Sequence, residues 1–92
     1  MTRTERAMIE KNLDLIFEFE RYVSEHPAVS KKIPDEAILA FQVKGHTAFN
    51  QWSRRIGEKQ AKQQRQPVVH ITIGKMGPVR SRISSLKMER AA

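Results

Sequence analysis

Two short apolar runs on either side of a helix-like segment decide the fold: residues 37–43, AILAFQV, and residues 67–73, PVVHITI. The segment between them begins near Thr47 and carries Phe49, Trp52 and Ile56 at helical spacing. Strand, helix and strand in this order form a βαβ unit, whose crossover makes the strands parallel. The stretch therefore predicts a small α/β domain, of the two-layer α+β kind, with a ligand edge beyond the carboxyl ends of the strands.

Two strands alone make a poor sheet, because few cross-strand contacts stabilise them and both outer edges stay open. In the first run both faces are apolar up to Gln42, which is typical of a strand covered on both sides. The sheet must gain strands either from the C-terminal segment or from a second copy of the chain. The second alternative predicts a homodimer.

Residues 3–25 predict a long helix ahead of the βαβ unit. Thr2 followed by Glu5 matches a capping box, and Pro27 ends the helix because the residue before a proline avoids the α region. Apolar residues recur at helical spacing in a stripe wider than one sheet face needs: Met8, Ile9, Leu13, Leu15, Ile16, Phe19, Tyr22 and Val23. This width predicts a helix that covers the sheet and also meets a second protomer.

The length of 92 residues fits one domain, which we place at residues 1–78, followed by a basic C-terminal arm at 79–92. Within the arm, Val79, Ile83 and Leu86 have helical spacing, whereas Leu86 and Met88 alternate as in a strand. We interpret it as an extended arm to which a short strand could belong. The polar run at 58–66 is expected to be an exposed, frayed helix end.

The net charge of +7 is unevenly placed: residues 1–25 carry −2, residues 26–66 carry +5 and residues 67–92 carry +4. The basic part of the chain, residues 26–92, could attract an acidic protein or nucleic acid, or could simply keep a small protein in solution. There is no cysteine, which excludes disulfides and fits a cytoplasmic setting. We expect no signal peptide and no membrane contact.

Several landmarks resemble those of a known family. They begin with NLDLIFEF at residues 12–19 and continue as Tyr22-Val23, His26-Pro27, Ile33-Pro34, Phe41-Gln42-Val43, Phe49-Asn50 and Pro67-Val68-Val69. Over residues 12–83 the chain resembles a family of small bacterial proteins classed as a domain of unknown function. The resemblance implies a bacterial, intracellular, free-standing domain, and it implies no catalytic or binding residue.

Catalytic and metal-binding patterns are weak. His26, His46 and His70 fall in three separate elements without metal-ligand spacing, and we expect His26 to bond locally and His70 to sit at a sheet face or interface. Glu10, Asp14 and Glu18 form an acidic helix stripe, which favours a solvated face or one docked on a basic neighbour over acid–base chemistry. No nucleophile-elbow, dinucleotide or Walker A motif occurs, so we expect no enzyme, cofactor or metal.

The strand ends offer one anion-site hypothesis. Thr47 is expected to cap the helix that starts there, and the free N–H groups of a helix start attract anions. Lys44, His46, Thr47 and Lys75 could therefore surround a phosphate or carboxylate. Loops of this composition are commonly empty, and the alternative is a plain connecting loop.

Basic side chains raise a nucleic-acid hypothesis. Arg55, Lys59 and Lys62 share one helical face, which suits phosphate contacts. Trp52 falls on the apolar stripe, which favours a core or interface position over base stacking. The full candidate set is Arg54, Arg55, Lys59, Lys62, Arg80 and Arg82.

The sequence thus predicts a non-enzymatic binding or assembly domain that forms a homodimer. A basic nucleic-acid-binding module is the alternative prediction, and a small anion-binding enzyme or sensor is the third.

Overall fold

The structure of the protein is a computed structural model that describes residues 1–90. In chain order the elements are α1 (Arg3–Glu25), α2 (Pro27–Ser30), β1 (Ile38–Val43), α3 (Thr47–Gln64) and β2 (Val68–Ile73). The two strands are parallel and in register from the Ile38–Val68 pair to the Val43–Ile73 pair. The α/β class and the βαβ unit predicted from the sequence are confirmed.

Helix α1 has the bounds that its sequence signals predict. The Thr2 hydroxyl accepts a hydrogen bond from the Glu5 backbone N–H at 3.0 Å, which satisfies one of the free donors of the first turn. At the other end the His26 N–H donates to the Tyr22 carbonyl at 2.9 Å, and Pro27 then opens the short helix α2. Proline suits this first helical position because its ring fixes a helical φ.

The two long helices lie on opposite faces of the sheet, so the sheet is a middle layer, which is one layer more than the two-layer arrangement predicted from the sequence. Helix α1 covers the Phe41 face, where the rings of Phe19 and Phe41 meet edge to face with centroids 5.4 Å apart. Helix α3 covers the face of Ala40, which lies directly against Gly57. Burial on both sides explains why β1 is apolar on both faces. The central cluster of buried apolar residues contains Leu15, Phe41, Val43 and Phe49.

Small residues let α3 approach β1 closely. After Phe49 the buried positions of this helix are Ser53, Gly57 and Ala61, one turn apart. Trp52 lies beside this row of buried residues, is half-buried and packs against the core. This agrees with its predicted place on the apolar stripe. The frayed end predicted for residues 58–66 is wrong, because packing of Ala61 carries the helix to Gln64.

Strand β2 has a free outer edge in the described part of the chain. The sheet contains only β1 and β2 over residues 1–90, and β1 is mostly buried whereas Thr72 of β2 is exposed. Residues 74–90 form neither helix nor strand and are exposed throughout. The short strand considered for the arm is absent from residues 79–90, and residues 91 and 92 of the arm lie outside the described part of the chain. Glycine and proline at Gly74, Gly77 and Pro78 explain why β2 stops where it does.

Candidate functional site

The loops after the two strands lie at one edge of the sheet. The Lys44 N–H donates to the Ile73 carbonyl at 3.0 Å, so the β1–α3 loop begins beside the end of β2. Lys75 follows that end two residues later, and all four residues of the anion-site hypothesis are exposed. Their grouping around one anion remains a prediction.

The start of α3 differs from the sequence prediction. His46, not Thr47, is the N-cap: its carbonyl accepts from the Asn50 N–H at 2.9 Å, and Thr47 is the first helical residue. The N-cap makes no side-chain hydrogen bond to the first turn. The expected Thr47 cap is wrong because the chain already turns into the helix at Gly45, whose positive φ of 87° reverses the backbone after β1.

A cation that the sequence reasoning missed lies at this edge. The Lys11 ammonium, from α1, is hydrogen-bonded to Nδ1 of His46 and sits 4.9 Å from the centroid of the Phe49 ring. Packing of α1 beside α3 creates this contact across 35 residues of sequence, so no local pattern signals it. The His46 imidazole therefore already has a protein partner.

Asn50 joins α3 to β1 through two well-formed hydrogen bonds. Its Oδ1 accepts from the Val43 N–H and its Nδ2 donates to the Val43 carbonyl, each at 2.8 Å. Both backbone groups belong to the edge of β1 that faces away from β2, because Ile38 and Lys44 donate to β2 and Val43 is out of phase with them by an odd number of residues. The amide thus replaces a neighbouring strand at this position and closes part of that edge.

A polar chain crosses the sheet on the α3 face. Gln42 is buried, and its Nε2 lies 3.3 Å from the Ala40 carbonyl and 3.4 Å from Nδ1 of His70. On the far side of the ring, Nε2 of His70 lies 3.5 Å from a Glu58 carboxylate oxygen. Oε1 of Gln42 is buried and has no hydrogen-bond partner among residues 1–90. His70 thus sits at a sheet face with partners for its ring, as predicted.

The third histidine is also held locally. Nδ1 of His26 lies 2.9 Å from the Tyr22 carbonyl, and its ring stacks on the Tyr22 ring at 4.1 Å. The local bonding predicted for His26 is confirmed. Over residues 1–90 no group of three or more His, Asp or Glu side chains is placed to hold a metal ion.

The outer face of α3 is basic. Arg55, Lys59 and Lys62 are exposed on it, as is Arg54 nearby. Glu58 is the acidic residue of α3, and its carboxylate lies next to the ring of His70. Arg80 and Arg82, the other two residues of the nucleic-acid hypothesis, lie in the exposed arm and not on this face.

An open cleft of about 720 Å³ separates the C-terminal half of α1 from the end of β2 and the segment after it. Its apolar lining includes Phe19, Tyr22 and Ile71, and charged residues of both signs, Glu18 and Arg80 among them, also line it. Lys75 also lines the cleft, whereas the other three residues of the anion-site hypothesis do not.

Helix α1 also presents an apolar face to solvent. Ile9, Leu13 and Phe17, one turn apart, are 37%, 47% and 57% exposed, and we call them the outer stripe. Glu10 and Asp14 run beside the stripe and are exposed as well. Exposed apolar residues that are contiguous on one helix face mark an interaction surface more often than scattered ones do.

Taken together, these features define a small α/β domain whose candidate site residues lie on open surfaces. Residues 7–86 match the model of DUF5647, a family of unknown function, and the chain belongs to that family. This match confirms that the landmarks in residues 12–83 point to a family of unknown function. No curated protein and no solved structure matches the chain. Among the described residues, no helix has the length and hydropathy needed to cross a membrane.

Proposed function

We propose that this chain is a non-enzymatic binding or assembly domain that works as a homodimer. The observation that carries the proposal is the outer stripe. It places three large apolar side chains at one-turn spacing in water, and a partner that buried them would lower the free energy of the system. The free outer edge of β2 supports it, since a two-stranded sheet is stabilised by added strands.

The histidine contacts support the non-enzymatic part of the proposal. A general base needs a ring nitrogen that can reach a substrate proton. His70 lies between Gln42 and Glu58, and His46 is bonded to Lys11. These rings act as links between elements, which is a structural role.

The mass of the chain in solution tests the homodimer. We expect sedimentation equilibrium at micromolar protein to give twice the chain mass of 10.6 kDa. The double substitution Leu13→Glu and Phe17→Glu should shift the equilibrium to monomer. Gln60→Glu with Gln63→Glu adds the same charge to exposed positions of α3 and should leave the dimer intact. A wild-type chain that is monomeric throughout would remove the proposal.

The second candidate function is non-specific nucleic-acid binding. The basic outer face of α3 favours it, because Arg55, Lys59 and Lys62 form no salt bridge within residues 1–90. Clustered, unpaired cations bind a phosphate backbone by releasing its counterions. Fluorescence titration of labelled duplex and single-stranded DNA at rising salt tests it, with Lys59→Glu and Lys62→Glu as the weakening variant. Absence of binding at low salt would eliminate this candidate.

The third function, a small anion-binding enzyme or sensor, depends on Lys44, His46, Thr47 and Lys75 and remains a hypothesis. Calorimetric titration with inorganic phosphate and with a small carboxylate would test it.

A further inference from the structure

The C-terminal arm carries apolar side chains that nothing in the described chain covers. Val79 is fully exposed, and Ile83 and Leu86 are 66% and 72% exposed. Their spacing of four and then three residues would place them on one face of a helix, although residues 79–90 are not helical in this structure. A short amphipathic segment gains helical stability mainly from packing, so this pattern indicates a helix that forms on contact with a partner.

We propose that the arm of one copy docks as an amphipathic helix on the outer stripe of a second copy. This inference rests on the proposed homodimer and names the two surfaces that build it. In a two-fold exchange each copy supplies one arm and one outer stripe, so the same contact forms twice and the assembly closes as a dimer.

The two surfaces agree in length. The outer stripe extends from Ile9 to Phe17, which at the rise of an α-helix is about 12 Å. A helical arm would span from Val79 to Leu86 in about 10 Å. Three apolar side chains on each side then face one another along the same distance, as in the helix-in-groove contacts that anchor at positions one turn apart.

The charges on the two surfaces are complementary. Described arm residues carry four cations and one acid, and Lys87 is paired with that acid, Glu89, at 2.8 Å. Arg80 and Arg82 therefore lack an ion-pair partner within residues 1–90. Glu10 and Asp14, beside the outer stripe, likewise lack an ion-pair partner within residues 1–90. Opposite charges flanking an apolar contact favour this orientation of the two segments and speed their encounter.

The position of the arm favours a second copy over its own chain. The radius of gyration is 17.3 Å, and the longest extent of the molecule is 62 Å. A compact chain of this length would have a radius of gyration of about 12 Å. The arm contributes to this excess, because residues 79–90 form neither helix nor strand and stay exposed from the cleft that Val79 and Arg80 line onward.

Complementary variants test the pairing of arm and stripe. We name the Ile83→Glu, Leu86→Glu chain the arm variant and the Leu13→Glu, Phe17→Glu chain the stripe variant. All four sites are exposed, so folding should persist, and circular dichroism checks it. In sedimentation equilibrium we expect each variant to raise the dimer dissociation constant at least about tenfold, because each removes anchors of the same contact. An equimolar mixture should form heterodimers, since one intact arm meets one intact stripe.

The outcomes separate this inference from the proposed homodimer. If the arm variant dimerises as tightly as the wild type, the arm has no part in the interface and the homodimer alone stands. If both variants are monomeric and their mixture stays monomeric, arm and stripe do not pair. If the wild type is monomeric, both proposals fail. The Gln60→Glu, Gln63→Glu chain controls for added negative charge.

Cross-linking identifies the contact directly, because the chain has no cysteine of its own. Leu13→Cys chains mixed with Ile83→Cys chains of a different mass should give mainly the mixed disulfide dimer under mild oxidation. Mainly Leu13→Cys homodimers would overturn the inference in favour of a contact between two α1 helices. In a chain with both substitutions, a disulfide-bonded product with the mass of a monomer would show that the arm docks on α1 of its own chain. That result would also overturn the inference. A Lys59→Cys chain controls for random collision.

Discussion

Gly57 determines how closely α3 can approach β1. A Cβ atom added at this position would lie 2.7 Å from the Cβ of Ala40, a separation that side-chain carbons do not adopt. Glycine is a poor helix former, and its presence in the middle of α3 costs about 1 kcal/mol relative to alanine. The close packing against the strand outweighs that cost.

Substituting Gly57→Ala should therefore destabilise the protein even though alanine favours helix. Overpacking of a close contact costs about 1–3 kcal/mol, and the gain in helix propensity offsets about 1 kcal/mol of it. We expect a net loss of about 1 kcal/mol in the free energy of unfolding, measured by urea denaturation. Gly74→Ala, where a Cβ meets nothing within 4 Å, is the control and should be neutral.

The companion substitution Ala40→Gly removes the opposing methyl group. In the Gly57→Ala background it should recover part of the loss, which a double-mutant cycle would detect as a favourable coupling. A Gly57→Ala chain that is more stable than the wild type would contradict the close approach.

Two buried or half-buried amides have opposite roles in this fold. Asn50 makes two hydrogen bonds of 2.8 Å to the Val43 backbone. Gln42 makes two long ones, and its Oε1 has no partner in the part of the chain that the structure describes. An unsatisfied buried acceptor costs about 1–3 kcal/mol, so the Gln42 side chain gives little net stability.

We predict that Asn50→Ala and Gln42→Met change stability in different directions. Asn50→Ala leaves the Val43 N–H without its partner and should lower the free energy of unfolding by about 2 kcal/mol. Gln42→Met keeps the side-chain length, removes the orphaned oxygen and should be neutral or stabilising by up to about 1 kcal/mol. Urea denaturation of both variants decides the matter. Equal losses would mean that the Gln42 amide is as well bonded as that of Asn50.

At the scale of elements, α1 depends on its cap for a defined start. Thr2 accepts the Glu5 N–H, and no other side chain is bonded to the first turn of this helix in the described part of the chain. The helix is mostly exposed on one side, and its only fully buried residue is Leu15. This bond therefore contributes to holding the first turn of α1 in place.

Thr2→Ala should lower the free energy of unfolding by about 1 kcal/mol, the usual loss for an N-cap hydroxyl. Thr4→Ala is the matched control, because Thr4 is an exposed residue inside the helix where alanine is the better helix former. Thermal denaturation followed by circular dichroism measures both. Equal effects of the two substitutions would show that the Thr2 bond contributes nothing.

The sequence predicted the elements whose signals are local. The α1 bounds follow from Thr2 and Pro27, and the parallel strands follow from the order of strand, helix and strand. The end of α3 could not be predicted in this way. Its last turn is held by Ala61, a small residue with a weak apolar signal, and it closes at Arg65 in the left-handed conformation (φ 53°), where the usual signal is glycine.

The candidate surfaces were predictable only where they lie on one element. The basic face of α3 and the acidic stripe of α1 follow from helical spacing alone. The contact between Lys11 and His46, and the line from Gln42 through His70 to Glu58, join residues of different elements. Such contacts depend on how helices pack on the sheet, which no spacing within one segment encodes.

At the scale of the whole molecule, an arm that docks on a second copy makes stability depend on protein concentration. Binding that occurs only in the folded state raises the apparent stability by mass action. For a folded dimer that unfolds to two chains, each tenfold rise in concentration adds about 1.4 kcal/mol per dimer. Over two chains of this length that corresponds to a rise of about 3 °C in Tm.

We therefore expect the Tm of the wild type to rise with protein concentration and the Tm of the Ile83→Glu, Leu86→Glu chain to stay constant. Both residues lie outside the buried core, so the substitutions should leave the stability of the single chain unchanged. At low concentration the two melting curves should coincide, because the wild-type dimer has dissociated there. A constant difference in Tm at every concentration would mean that the arm stabilises its own chain, and an arm docked within one copy would then replace the exchanged one.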